Sequence, residues 1–119
     1  MFRLAKIEGG RINVHEPQML TAGEAVTIGE ALVLTGGKLT KCGTTTRPTY
    51  IALCTGEANT EIAVGRVESN QLYEVETPGT LTLGTKVTID NNGLGITTTV
   101  TNGVAEVMYS DSQVTLVRF

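Results

Sequence analysis

Turn-forming residues interrupt this chain so often that little longer than a short strand fits between them. Gly9-Gly10, Gly36-Gly37, Gly43, Gly56, Pro78-Gly79, Asn91-Asn92-Gly93 and Asn102-Gly103 all read as turns, since these residues supply or tolerate the backbone angles that reverse a chain. The intervening segments are mostly 5–9 residues long, which is strand length. They are filled with β-branched side chains: 20 Thr, 12 Val and 7 Ile, together 39 of 119 residues. Such side chains are stiff at χ1 and pack well on a pleated surface. The fold class is therefore all-β, in a chain of single-domain length. Aromatic residues make up only 4%, so the core has to be aliphatic.

Several segments alternate. In Leu81-Thr-Leu-Gly-Thr-Lys-Val-Thr-Ile-Asp90 one face carries Leu81, Leu83, Val87 and Ile89, the period of a half-buried strand. Val26–Leu34 behaves alike, except that Ala31–Leu34 is apolar on both faces. No window sustains a helical period; the best short candidates are Pro17–Ala22 and Ser69–Glu74. The chain also repeats itself. Val26–Thr40 lies 55 residues before the segment that starts at Leu81, both reading as a strand with Gly at its fourth position, a Gly turn and a second strand. Tyr50-Ile-Ala-Leu-Cys-Thr then matches Val104-Ala-Glu-Val-Met-Tyr, and Glu61–Val67 matches Gln113–Phe119. The expected architecture is a small β-barrel or β-clip-like domain over residues 21–119, with pseudo-repeats at about 26–67 and 81–119. Residues 1–20 fall outside the repeat as an N-terminal arm or edge strand. Phe2-Arg-Leu-Ala-Lys-Ile7 alternates, and would either join the domain's own sheet or be lent to a neighbour's edge.

Charge and reactive groups exclude several functions. Nine Lys+Arg against twelve Asp+Glu give a net charge of −3 with no basic run, so no nucleic-acid partner is expected. Apolar stretches are too short to cross a membrane, and Arg3, Lys6 and Glu8 interrupt what would be a secretion signal. The chain reads as a soluble cytosolic product. Cys42 and Cys54, twelve residues apart, fit two ordinary thiols rather than a disulfide or a zinc site. His15 is the only histidine and sits in a polar turn, with no partner for acid–base or metal chemistry. The acids at Glu57–Glu61 and Glu68–Glu76 read as solvated faces, Asp90-Asn-Asn-Gly93 as a hairpin turn rather than a calcium loop, and Gly36-Gly37-Lys38 as a turn rather than a phosphate loop. Thr44–Thr46 and Thr97–Thr99 read as solvent-facing positions. No enzyme activity, cofactor or metal follows from this set.

Ala22-Gly-Glu-Ala-Val-Thr-Ile-Gly-Glu-Ala-Leu-Val-Leu-Thr-Gly-Gly-Lys-Leu-Thr-Lys41, then Pro48–Ala52, Leu83–Ile89 and Val104–Val107, resemble the small capsid cement or head-decoration proteins of tailed bacteriophages over residues 20–119. The resemblance implies a β domain, often a homotrimer, that is made in the host bacterial cytoplasm and sits on the outside of an expanded phage head. There it bridges copies of the major capsid protein and resists internal DNA pressure. In that family an N-terminal arm orders on the capsid lattice; by position Met1–Glu8 corresponds, which makes Phe2, Arg3, Leu4, Lys6 and Ile7 the candidate capsid or inter-subunit contacts. Two rivals remain. A phage tail or baseplate accessory, carbohydrate- or receptor-binding module expects exposed aromatics along a groove, and an enzyme expects Asp, Glu or Cys converging with His15.

Overall fold

The computed structural model describes residues 1–10 and 13–119. It contains ten strands and, among the described residues, no helix: β1 (Arg3–Ile7), β2 (Pro17–Thr21), β3 (Ala31–Thr35), β4 (Lys38–Lys41), β5 (Tyr50–Ala52), β6 (Glu61–Arg66), β7 (Gln71–Glu76), β8 (Lys86–Val87), β9 (Ala105–Ser110) and β10 (Val114–Arg118). They form two antiparallel five-stranded sheets, β2-β6-β5-β3-β4 and β1-β7-β10-β9-β8. The two segments with the nearest thing to a helical period are strands β2 and β7. Along β7, Gln71, Tyr73 and Val75 are buried while Leu72 and Glu74 are half-buried, so burial follows period two.

The second sheet repeats the first, pair by pair. Ala31–Ile51 and Leu32–Tyr50 in one correspond to Lys86–Glu106 and Val87–Ala105 in the other, 55 residues later at both partners. The hairpin pair Leu34–Leu39 has its counterpart in the bridge Ile89–Ile96. Gln18–Val64 through Thr21–Glu61 correspond to Tyr73–Val117 through Glu76–Val114. The duplicated unit thus begins at β2 and β7, upstream of residues 26 and 81, and β1 is the one strand outside it. Tyr50 aligns with Ala105 and Glu61 with Val114, each one residue later than the sequence comparison sets them. The turns differ in length between the copies, and a slip of one residue moves a strand's side chains to the opposite face.

A glycine turn opens each copy. Gly29 and Gly84 have φ of 82° and 84°, so neither Val26–Leu34 nor Leu81–Asp90 is one continuous strand. The chain turns at these glycines, and Leu83 stands 61% exposed. In both copies the glycine N–H donates to a β5 or β9 carbonyl, Ala52 or Val107, at 2.8 Å. The N–H of the same residue donates back to the carbonyl of Glu30 at 3.0 Å or Thr85 at 2.8 Å. This reciprocal clip fixes where each strand leaves its turn.

The sheets curl without closing into a barrel. The end strands of the first sheet are linked by no more than the isolated parallel bridge Ala22–Leu39 rather than a full ladder, and the architecture is that of a β-clip-like sandwich. Ala22, Val26, Leu32, Leu39, Tyr50, Ala52, Ile62 and Val64 fill the concave side of the first sheet. Their counterparts Val87, Ala105, Val107 and Val117 line the second, but there the cluster also takes in Ala31, Ile51 and Cys42 from the outer face of the first sheet. The first sheet is therefore buried on both faces around β3 and β5, which accounts for the apolar run Ala31–Leu34.

One buried group fits this core poorly. Glu30 is 2% exposed and its Oε2 has no hydrogen-bond partner, while Oε1 accepts from the Thr27 N–H at 3.3 Å. Burial pushes its carboxyl pKa up, against the Thr27 hydrogen bond and the charge of Lys41. Its counterpart Thr85 donates its hydroxyl to the Thr82 carbonyl at 2.6 Å instead. A carboxyl with a raised folded pKa contributes most below its unfolded pKa and loses that contribution as pH rises through the folded value. Glu30→Gln should therefore gain about 1 kcal/mol of stability near neutral pH and lose that advantage in acid, read from urea unfolding at both pH values. The paired glycines give a second expectation. Gly84→Ala meets open space and costs only backbone strain of about 1–2 kcal/mol. Gly29→Ala has the same strain and also drives its methyl into Met1, so it should cost more in the same titration.

Candidate functional site

The five candidate contact residues lie on and just before β1. Pairing with β7 runs Arg3–Glu74, Leu4–Tyr73, Lys6–Leu72 and Ile7–Gln71, with a register shift between Leu4 and Lys6 that places a bulge at Ala5. The strand is part of the chain's own sheet. Arg3 and Lys6 are exposed, Leu4 and Ile7 half-buried. Phe2 is 2% exposed, and its ring centroid stands 5.4 Å from that of Phe119, itself 5.6 Å from Tyr73. Phe2 is therefore a core residue in this structure and not a surface contact: period two turns it inward where Arg3 turns outward.

Ion pairs lie along β1 and across the strands of its sheet. The Met1 ammonium lies 2.6 Å from Glu76, Arg3 3.7 Å from Glu74, and Arg118 3.5 Å from Glu8 and 3.0 Å from Glu106. The ammonium's hydrogen bond holds the Glu76 carboxyl below its usual range. Exposed pairs of this kind contribute about 0–1 kcal/mol each. Burial of Phe2 and the β1–β7 ladder hold the strand in place.

Beside β1, Met1, Phe2, Leu4, Val14, Ile28 and Leu53 line a largely apolar groove of about 390 Å³. Behind it lies His15. Its Nε2 is 3.2 Å from the Tyr73 hydroxyl, which donates to Gln71 Oε1 at 2.7 Å. Because that hydroxyl's proton is committed to Gln71, His15 donates from Nε2–H. The flat ring covers Gly65 so closely that a Cβ there would collide with it. Burial lowers the His15 pKa and raises that of Tyr73. Glu16, Arg66 and Glu68 line a cleft of about 600 Å³ on the other side of the ring. His15 is thus a wedge between β6 and β7, a role that its polar sequence context does not signal.

The cysteines belong to different clusters and both are free. Cys42 sits in the shared core, where burial raises its thiol pKa to about 11. Cys54 packs against the first core, and its Sγ accepts from the Ala63 N–H at 3.3 Å. Asp90–Gly93 is a turn with Gly93 at φ 74°, in which Asp90 Oδ1 and Asn92 Oδ1 both accept from the Leu94 N–H. Gly36 and Gly37, at φ 58° and 81°, form the two-residue loop of the β3–β4 hairpin. Among the described residues, no three or more His, Cys, Asp or Glu side chains gather as a metal site would need. The two threonine runs do meet. Thr44, Thr45, Thr97 and Thr99 line one groove of about 430 Å³ with Asp90 and Asn91, and the Thr44 carbonyl accepts from the Ile89 N–H at 3.0 Å. The fold joins them through the Ile89–Ile96 bridge, which no local spacing reveals.

No protein-family model matches this chain, and no curated protein matches it.

The His15 wedge has a pH signature. A histidine whose folded pKa is lowered disfavours the folded state once the unfolded chain takes up the proton, below about pH 6.5. The urea midpoint of the wild type should therefore fall further between about pH 7.5 and about pH 5 than that of His15→Gln. Equal falls would remove the role assigned to the ring.

Proposed function

We propose that this chain is a non-enzymatic structural virion protein that binds the outside of an expanded phage capsid and stabilises it, in association with copies of itself. The observation that supports this best is the placement of β1. It lies at the outer edge of a rigid sheet, anchored by Phe2, with Arg3 and Lys6 turned to solvent. A contact strand held by the core loses little entropy on docking. Repeated over a symmetric shell, weak contacts by two such cations sum to firm attachment. The all-β fold is the one that the resemblance to cement proteins implies. In this reading the partner is the major capsid protein, met through Arg3 and Lys6, with Leu4 and Ile7 beside them.

The carbohydrate- or receptor-binding alternative has less to rest on. Phe2, Tyr50 and Tyr73 are committed to the core, and the threonine groove carries no aromatic lining.

The reading is tested with expanded, DNA-free heads assembled from the major capsid protein encoded in the same genome. The wild-type chain should co-sediment with those heads and raise their thermal disruption temperature. Arg3→Glu combined with Lys6→Glu should weaken binding about tenfold or more, while circular dichroism shows the β fold retained. Failure of the wild type to co-sediment would sink the proposal.

A further inference from the structure

The cleft on the far side of the His15 ring holds a donor that the fold itself leaves unused. Gln71 stands at the end of the β6–β7 turn. Its N–H donates to the Glu68 carbonyl at 3.2 Å, and its Oε1 accepts from the Glu68 N–H at 2.8 Å. The Tyr73 hydroxyl donates to the same Oε1 at 2.7 Å and lies 3.2 Å from His15 Nε2. An oxygen that accepts twice fixes which end of the amide is which, because a reversed amide would set its NH2 against two donors. The Gln71 NH2 is therefore turned away from Glu68 and Tyr73. Gln71 is 6% exposed and lines the cleft of about 600 Å³. Both side-chain hydrogen bonds that it makes among the described residues use Oε1, and none uses Nε2. A donor held this deep is completed by an acceptor that enters the cleft.

The charges around it select that acceptor. Glu16 and Glu68 line the same cleft, and Arg66 there already lies 3.3 Å from Glu68. An anion would meet two carboxylates and a guanidinium that is paired, while a cation would meet the NH2 and Arg66. A hydroxyl suits both kinds of wall, since it accepts from the Gln71 NH2 and donates to a carboxylate. Val14 and Pro17 add apolar surface to the lining, on which the C–H face of a ring can rest. A cleft of this volume with a few convergent polar groups has the dimensions of a small-molecule site. An extended peptide fits it less well. The nearby edge strands are β1, bulged at Ala5, and β2, which begins with Pro17 and lacks an N–H there, so neither offers a regular edge for strand addition.

We infer that this cleft binds a neutral saccharide, with Gln71 Nε2 donating to a sugar oxygen and Glu16 and Glu68 accepting from sugar hydroxyls. Tyr73 and His15 are positioning residues that hold the Gln71 amide in one orientation before the sugar arrives. Among the described residues the lining contains no Phe, Tyr or Trp, so hydrogen bonds rather than ring stacking carry the contact and the affinity is millimolar. The site goes beyond the capsid reading: it uses neither Arg3 nor Lys6, and adds a contact to that reading without replacing it.

Nuclear magnetic resonance titration of the full chain tests this, because the Gln71 NH2 gives its own signals. The probes are glucose, galactose, mannose and N-acetylglucosamine, with acetate as a small anion and N-acetylglycinamide as a peptide-like amide. At least one sugar should shift the Gln71 NH2 saturably, together with the backbone amides of Glu68 and Asn70. Gln71→Glu keeps the accepting oxygen and removes the donor, and should weaken binding of that sugar about tenfold or more. Glu16→Gln should weaken it several-fold, because a charge-assisted hydrogen bond becomes a neutral one. Circular dichroism checks the fold of both variants; where Gln71→Glu loses its β signal, Glu16→Gln, at an exposed position, reads the same site on an intact Gln71. Saturation by none of the sugars, with water alone filling the cleft, overturns the inference. So does a shift that acetate or the amide saturates and the sugars do not. A folded Gln71→Glu chain that binds the sugar like the wild type overturns it too, as does such a Glu16→Gln chain where Gln71→Glu is unfolded. Head binding is scored separately, and neither result bears on the other.

Discussion

Two sheets share one core in this molecule, and a single short strand is tied into both of them. β1 pairs with β7 of the second sheet, yet the residue just before it donates its N–H to Gly29 of the first. Phe2 then fills the space where the outer face of the first sheet meets the second sheet, beside Tyr73 and Phe119. Without β1, β7 would be an open edge and Ile51 and Ala31 would lose part of their cover. The remaining backbone ties between the halves, Ala31 to Gly93 and Ile89 to Thr44, join turns and strand ends and order little of the interior by themselves. The strand outside the duplication therefore closes the seam between the two copies, beside the core that they share.

The duplication also explains where the copies diverged. Ala31 and Ile51 in the first sheet are replaced by Lys86 and Glu106 at the equivalent pair of the second. The apolar pair is buried between the halves and the charged pair is not. Glu106 instead receives Arg118 at 3.0 Å. An identical backbone frame thus carries apolar residues where its outer face is covered and charged ones where it meets water. Glu30 and Thr85 diverge at the same turn, and there the first copy keeps a carboxyl that its burial disfavours.

Much of this frame was legible in the sequence, and the failures share a cause. Glycines at 36, 37 and 93 mark hairpin turns because a positive φ needs them, and residue type alone indicates that. Gly29 and Gly84 have the same property, but their apolar alternating neighbours masked them, so a strand was expected to run through each turn. The repeat itself was visible, whereas its register was off by one residue in two strands because only pairing across the sheet fixes it. Which way β1 would go was undecidable from Phe2–Ile7, since a strand that completes its own sheet and one lent to a neighbour have the same alternation. The His15–Tyr73–Gln71 chain and the threonine groove each join residues more than 50 positions apart, a separation beyond the reach of any local pattern.

The edges of the sheets bear on how such a molecule meets others. Every exposed edge here is blunted by a different device. β1 carries Arg3, Lys6 and a bulge, and β8 has only two residues. β2 starts with Pro17, which lacks an N–H, and β4 begins with Lys38, ends with Lys41 and is tied to Ala22 through Leu39. Devices of this sort oppose open-ended strand pairing. Such devices matter in a β-rich chain because edge-to-edge growth has no natural end. What the blunted edges leave available are side-chain surfaces, the cations of β1 among them. Contacts made by side chains on a rigid face have one fixed geometry each, and the symmetry of that geometry, unlike the repeat of a strand edge, decides whether an assembly closes.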